Sequence, residues 1–510
     1  MYTFSEKVFL QLDMPTEDAP VSDQARILQG LADLGFDRVH IPLPVLRQLY
    51  PLCREAGYAI TASLVCRGDA WILTGVEAGD QRQQHYGLAV DYGSTTIVMQ
   101  LVDLHNGSIL AEENEINGQA VYGSDILTRI TYSLEDPSHL DDLHAVTVRT
   151  FDTLLSRLTA RTGVDATRCP AMILSGNTTM IHFLLKLNAW SVFAAPYAPV
   201  SSDPGWFSGG ELGMNFSGMV YIIPAASNYV GGDIVSGLIH LGIHRQAQTS
   251  MFFDIGTNGE LVVGNREWII AGAGAAGPAL EGYISRYGMR ADSGAIDSVK
   301  IHGNQLFFTT IDGAPPVGIC GSGIIDLLAQ MRLNGWINIS GELNPQASER
   351  IVYLADEQQY VVEYATAAES ANSQPLFFAQ QDILQYLDTK AAAYTMIECI
   401  LETAGCEFAD LQALYLSGAF PAHSDLESAI TIGIFPDLPR EKYHCTPNTS
   451  LEGARQLLLD RQLLQEIQLL LETMYCVQFA SYPDFLVRMQ AAKFIPHTDL
   501  RRYPSIVAKL

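Results

Sequence analysis

The stretch Tyr86-Gly87-Leu88-Ala89-Val90-Asp91-Tyr92-Gly93-Ser94-Thr95-Thr96 decides the fold, because a counterpart follows it: Met251-Phe252-Phe253-Asp254-Ile255-Gly256-Thr257-Asn258-Gly259. Each starts as a short apolar run, turns at Asp-x-Gly with small polar residues beside it, and resumes as an apolar strand, at 97–102 and 261–263. A long helical pattern comes later in each case, at 141–162 and 382–404, closed by Gly163 and Gly405. Then a short apolar run ends in Ser-Gly: 171–174 before Ser175-Gly176-Asn177, and 413–416 before Ser417-Gly418-Ala419. The same order of elements thus occurs twice. A duplicated α/β domain is the simplest reading.

Outward from the repeat, residues 4–12 alternate around Val8, Leu10 and Leu12 as a strand. Residues 22–34 carry helical spacing at Ala25, Ile27, Leu28 and Leu31, with Gly35 as the stop. Two more strands are expected at 58–65 and 71–76, and the polar run 77–84 reads as a linker. The expected organisation is a small α/β domain over 1–84, a first lobe over 85–250, a second over 251–460, and a helical tail packed on the core over 461–510. One long helix is expected over 451–474.

Composition narrows the function. Lys plus Arg is 30 against 56 Asp plus Glu, a formal charge of −26. Such a chain is poorly suited to neutralising nucleic-acid phosphates or holding an anionic membrane. With 48% hydrophobic and 17% charged residues it can bury a sizeable core. No apolar run approaches the ~20 residues of a membrane span. Glu6, Lys7, Asp13, Glu17 and Asp18 break any signal-peptide pattern, so the expected location is the cytoplasm. The eight cysteines are dispersed, with no C-x-x-C pair. Neither a disulfide framework nor an iron–sulfur cluster on this chain is expected.

An Asp at the end of a buried strand, followed by x-Gly and hydroxyls, suits phosphate and magnesium. Gly lets the backbone bring its N–H groups to a phosphate, and the carboxylate can hold a metal-bound water. One such turn is ordinary. Two, each between apolar strands, would clamp a polyphosphate. On this reading Asp91 and Asp254 hold the magnesium shell, and one of them orients an attacking water. Gly93, Ser94, Thr95 and Thr96 cradle phosphates, as do Gly256, Thr257 and Asn258. The third Gly element, at Gly418 and Ala419, faces the nucleoside of ATP. Asn177, Thr178 and Asp233 either line the cleft or make local turn hydrogen bonds. Glu281 is a candidate for the ribose or a metal-bound water. Cys320, between glycines, reads as tight packing rather than a reactive thiol. His182 and His423 read as packed or surface histidines rather than catalytic bases.

These elements resemble the actin, Hsp70 and sugar-kinase superfamily, whose two duplicated α/β lobes enclose an ATP–Mg cleft. One branch matches more closely. Residues 86–96, Tyr122-Gly123-Ser124-Asp125, Ser175-Gly176-Asn177-Thr178-Thr179-Met180 and Val230-Gly231-Gly232-Asp233 resemble the reductive activators of corrinoid proteins. So do Ala275-Ala276-Gly277-Pro278-Ala279-Leu280-Glu281-Gly282, Gly288-Met289-Arg290, Gly318-Ile319-Cys320-Gly321-Ser322-Gly323 and Ile432-Gly433-Ile434-Phe435-Pro436. The resemblance implies a duplicated actin/Hsp70-like ATPase core preceded by a small α/β domain. It implies ATP-driven reduction of a Co(II) corrinoid protein to Co(I), with Mg2+. Such activators take electrons through an iron–sulfur domain on the same chain. No cysteine pattern supplies one here, so a separate ferredoxin or flavodoxin is the expected donor. A homodimer is compatible with the sequence. Ser94 stands where the family has Thr, and Ala419 and Pro421 stand where it is Gly-rich. The alternative is a nucleotide-gated adaptor or chaperone of a corrinoid protein without a redox role. A small-molecule kinase finds no substrate motif in the chain.

Overall fold

The computed structural model describes residues 2–256, 258–274, 284–418 and 424–510. It forms two compact units. The first comprises Met1–Gly242 with Thr449–Glu472, the second Ile243–Asn448 with Thr473–Leu510.

In the first unit, the N-terminal strands Ser5–Gln11, Ala59–Arg67 and Ala70–Ala78 form a sheet with the short Val39–His40. The helices Asp23–Ala32 and Leu43–Glu55 cover it, burying Ile27, Leu31, Val45 and Leu49. The second of these helices is not anticipated by the sequence. Pro44 occupies its first turn, where its missing N–H costs nothing.

A six-stranded sheet follows, in the order Ile109–Ile116, Thr96–Asp103, Tyr86–Tyr92, Ala171–Gly176, Met219–Ile222, Gly205–Ser208. Tyr86–Tyr92, Ala171–Gly176 and Met219–Ile222 run parallel. Every residue of Ala171–Gly176 is buried, as expected for a central parallel strand. The helix His139–Thr162 lays Leu143, Phe151, Leu154 and Leu158 on the core and ends at Gly163 in the left-handed region, φ 73°.

The second unit repeats the plan. Its sheet runs Tyr443–Cys445, Ala413–Ser417, Ser250–Ile255, Gly259–Gly264, Ile269–Gly274, Met474–Gln478. In both units a three-stranded antiparallel meander pairs its first strand, in parallel, with the strand that follows the long helix. That second long helix is Gln380–Thr403. Two three-stranded sheets, around Ala295–His302 and Gln359–Ala365, complete this unit.

The helix expected over 451–474 is two helices, Thr449–Leu459 and Leu463–Thr473, and the chain then becomes the strand Met474–Gln478. Residues 449–472 belong to the first unit, although sequence order puts them in the second lobe and the tail. The reason is packing. Leu451, Ala454, Leu457 and Leu458 are buried, and Gly453 lets this helix approach the backbone of Ser236 in the helix Gly232–Leu241. Among the described residues no helix is long and apolar enough to cross a membrane.

Candidate functional site

In the first unit, the carboxyl ends of three parallel strands bring the sequence-selected turns together. Asp91 lies opposite Ser175 in the ladder, and Tyr92 opposite Gly176. A Cβ on Gly176 would lie 2.9 Å from the Tyr92 carbonyl, and one on Gly231 2.8 Å from Asn177 Cα. Only glycine permits these turns to stack so closely. Asn177 caps the helix Thr178–Leu184, accepting from Thr179 N at 3.0 Å. Thr178 Oγ1 donates to the Ser227 carbonyl at 3.1 Å. Asp233 opens the helix Gly232–Leu241, and its Oδ1 accepts from Ile234 N at 2.9 Å. Burial first, and then the charge of Asp91, push the Asp233 carboxyl well above the usual carboxylate range. Asp91 and Asp233 therefore share one electrostatic environment.

Asp91 is oriented from far along the chain. Ser450 Oγ, buried in the first turn of Thr449–Leu459, donates to Asp91 Oδ1 at 2.8 Å. The same hydroxyl lies 2.9 Å from Ser175 Oγ, and Ser236 Oγ donates to the Ser450 carbonyl at 2.6 Å. Between Asp91 and Gly93, the Tyr92 side chain turns into the core, where Gln119 Nε2 donates to its hydroxyl at 3.0 Å.

The loop after Asp91 is held by its carbonyls. Asn117 Nδ2 donates to Gly93 O at 2.9 Å, Arg129 Nη1 to Ser94 O at 2.6 Å, and Asn117 N to Thr95 O at 2.9 Å. In a trans peptide the N–H points opposite to the C=O. Fixing the carbonyls of residues 93 and 94 therefore turns the N–H groups of Ser94 and Thr95 to the other side. That arrangement suits an oxyanion. Gly93 through Thr96 are only partly buried, so this face is reachable.

The second unit builds a similar edge. Asp254 lies opposite Ser417 on the parallel strand Ala413–Ser417. Gly418 follows with φ 102°, and a Cβ there would lie 2.2 Å from the Ile255 carbonyl and 3.2 Å from Asp254 Oδ1. Gly256 N donates to Asn258 O at 2.9 Å, and among the described residues a Cβ on Gly256 would meet nothing nearer than 4.0 Å. Among the described residues this leaves room over a glycine, and a phosphate beside the Asp254 carboxylate would need a cation between the two anions. Magnesium is commonly held by one or two carboxylates plus substrate phosphates, and each unit ends its central strand in one carboxylate, Asp91 in the first and Asp254 in the second. Among the described residues no three His, Cys, Asp or Glu are arranged as a metal cage. Thr257, Glu281, Ala419, Pro421 and His423 lie outside the described residues.

Two expected bystanders are placed as packing groups. His182 is fully buried; its Nδ1 faces the Thr178 carbonyl at 2.7 Å and its Nε2 accepts from Val200 N at 3.1 Å. One donor and one acceptor define a neutral imidazole, and burial lowers its pKa. Cys320 is buried, with Sγ 3.3 Å from both the Ile296 carbonyl and Ser322 Oγ.

Comparison with known proteins covers the whole architecture. Residues 1–83 match the RACo linker region, 86–246 the RACo middle region, and 248–507 the C-terminal domain of RACo, the ASKHA domain. The chain belongs to the RACo family. Corrinoid activation enzyme RamQ of Eubacterium limosum is 28% identical over 399 residues, covering 77% of this chain and 67% of that protein. The Co(II) methylated amine-specific corrinoid protein reductase of Methanosarcina barkeri is 25% identical over 415 residues, covering 75% and 71%. The solved structure of a reductive activator for corrinoid, iron-sulfur protein matches with a TM-score of 0.87 at 33% identity, covering 99% of this chain and 81% of that one.

Within this RACo-family chain, three functional-site residues escape sequence reasoning: Asn117, Arg129 and Ser450. Asn117 caps the short helix Gly118–Val121 and Arg129 lies inside the helix Ile126–Glu135, close after Tyr122-Gly123-Ser124-Asp125, and neither position reads as a loop-holding residue from its neighbours alone. Ser450 carries no local signal. Only the return of residues 449–472 to the first unit brings it to Asp91.

Proposed function

We propose that this protein uses ATP and Mg2+ to drive the one-electron reduction of a Co(II) corrinoid protein to Co(I), the electron coming from a separate ferredoxin or flavodoxin. The carrying observation is family membership along the full length, with a TM-score of 0.87 to a reductive activator. The names of the relatives support the same substrate class.

In this proposal Asp91 and Asp254 hold the magnesium shell, and one of them orients the water that attacks the terminal phosphate. Bound magnesium would neutralise phosphate charge. The N–H face of Ser94–Thr95 and the open backbone at Gly256 and Asn258 would receive the phosphates, with Thr96 and Thr257 as hydroxyl donors. Gly418 and Ala419 would face the nucleoside, Glu281 would reach the ribose or a metal-bound water, and Asn177, Thr178 and Asp233 would support the first loop. Phosphoryl transfer needs position and charge neutralisation above all. ATP and water give ADP and phosphate, and the donor's electron goes to cobalt.

The test is anaerobic ATP hydrolysis with and without a Co(II) corrinoid protein, on the wild type and on Asp254→Ala. Hydrolysis stimulated by the corrinoid protein and lost in a folded Asp254→Ala chain supports the proposal. Unchanged hydrolysis in that variant refutes the role of Asp254.

A further inference from the structure

Arg129 is 1% exposed, in the helix Ile126–Glu135. A buried lysine can shed its proton, and Lys390 of the second unit is pushed in that direction. Its amine rests on the carbonyls of Phe494 and Pro496, and burial holds it well below its usual range. An arginine has no such escape and stays charged. Arg129 spends its donors on backbone: Nε on Gly123 O at 2.9 Å and Nη1 on Ser94 O at 2.6 Å, with Met180 Sδ 3.7 Å from Nη1. Among the described residues no carboxylate forms an ion pair with it. Asp125, the acid whose field reaches it, is committed to capping its own helix, accepting from Thr128 N at 2.9 Å. The first loop is thus backed by a buried positive charge without a matching anion, an expensive arrangement for a ligand-free chain.

Direction adds to charge. The bond from Arg129 fixes the Ser94–Thr95 peptide with its carbonyl inward, so the Thr95 N–H points away from the guanidinium. Asn117 does the same for the peptide before it. Fixed N–H dipoles on the outside and a fixed cation behind them add for an anion on the outer face.

We propose that Arg129 is the resident counter-charge and positioning residue of the first phosphate loop, and that a di- or triphosphate group on the Ser94–Thr95 face supplies its missing anion. The inference rests on the reading of residues 91–96 as a phosphate loop and adds a recognition element no sequence motif marks. Because the charge belongs to the loop itself, pyrophosphate without nucleoside should also bind.

The test uses the full chain, titrated with ATP, adenosine and sodium pyrophosphate, and followed by calorimetry and by the shift in unfolding temperature. Arg129→Gln should weaken ATP and pyrophosphate by about tenfold or more, the loss of one charge-assisted hydrogen bond, and leave adenosine unchanged. Arg129→Lys keeps the charge without the planar fork, should fall between, and carries the test if the Gln variant does not fold. A purely structural role would lower the unfolding temperature with and without ligand alike and leave the pyrophosphate shift intact, which overturns the inference. A wild type that binds ATP and pyrophosphate no better than the Gln variant does overturns it too. A wild type that binds neither overturns the phosphate-loop reading itself.

Discussion

Gly453→Ala sets local propensity against packing. In a helix interior the change gains about 1 kcal/mol from propensity alone. The structure reverses the sign. A Cβ on Gly453 would lie 1.9 Å from the Ser236 carbonyl oxygen and 2.5 Å from its carbon. Carbon–oxygen contacts normally sit at about 3.3–3.6 Å, so the helix Thr449–Leu459 must back away by well over 1 Å. Overpacking of this kind costs about 1–3 kcal/mol. The move also breaks two bonds on the same turn. Ser236 Oγ to Ser450 O is neutral, about 1 kcal/mol, and Ser450 Oγ to the Asp91 carboxylate about 1.5–3 kcal/mol. The net expectation is a loss of about 2.5–6 kcal/mol. Urea unfolding of the first unit should show a lower midpoint at unchanged slope. Affinity for MgATP should fall with it, because Asp91 loses its orienting hydroxyl. A Gly453→Ala chain as stable as the wild type, or about 1 kcal/mol more stable, would refute the packing argument and the placement of residues 449–472.

Other consequences follow from the same geometry. Ser450→Ala should weaken nucleotide binding about tenfold when magnesium is present and leave magnesium-free binding unchanged, measured by titration in buffer and in EDTA. Gly418→Ala should cost about 1–3 kcal/mol in backbone strain at φ 102° and displace Ile255, lowering both nucleotide affinity and the unfolding midpoint of the second unit. His85 is buried, faces Ser5 Oγ at 2.8 Å, and is pushed down to about 4, by burial first and then by His105 and Lys7. The unfolded chain binds a proton that the folded one refuses, so this contribution is fully present above about pH 6.5 and is lost as the pH falls toward 4. Its slope is about 1.4 kcal/mol per pH unit, and His85→Gln should remove it from a plot of stability against pH.

Much of the architecture is written locally. Asp91 and Asp254 stand at the ends of apolar strands, and the later Ser-Gly turns stand at the ends of others. Short-range patterning therefore exposes the duplicated plan, and the two sheets carry it out with the same meander and the same parallel neighbour. What local pattern cannot reveal is return. Leu451 to Met474 reads as one helix because its apolar spacing is nearly continuous. The helix breaks at Asp460-Arg461-Gln462, where the Asp460 side chain accepts from Gln462 N at 3.0 Å, and the packing of Gly453 on Ser236 is a contact across more than two hundred residues of chain. The helix Leu43–Glu55 contains Pro51 in its interior, yet Val45, Leu49 and Cys53 form a buried stripe strong enough to hold it. Arg129 was hidden for another reason. A charged residue in an amphipathic helix reads as solvent-facing, and only its wrapping by residues 94 and 123 makes it interior.

The most direct measurement is the optical and paramagnetic spectrum of a Co(II) corrinoid protein, recorded anaerobically with this protein, MgATP and a reduced ferredoxin or flavodoxin. Loss of the Co(II) signal with growth of Co(I) absorption, dependent on ATP and abolished by Asp254→Ala, is the expected result. Cobalt that stays Co(II) under those conditions, or is reduced equally well without ATP or without this protein, would contradict a role in ATP-driven reductive activation.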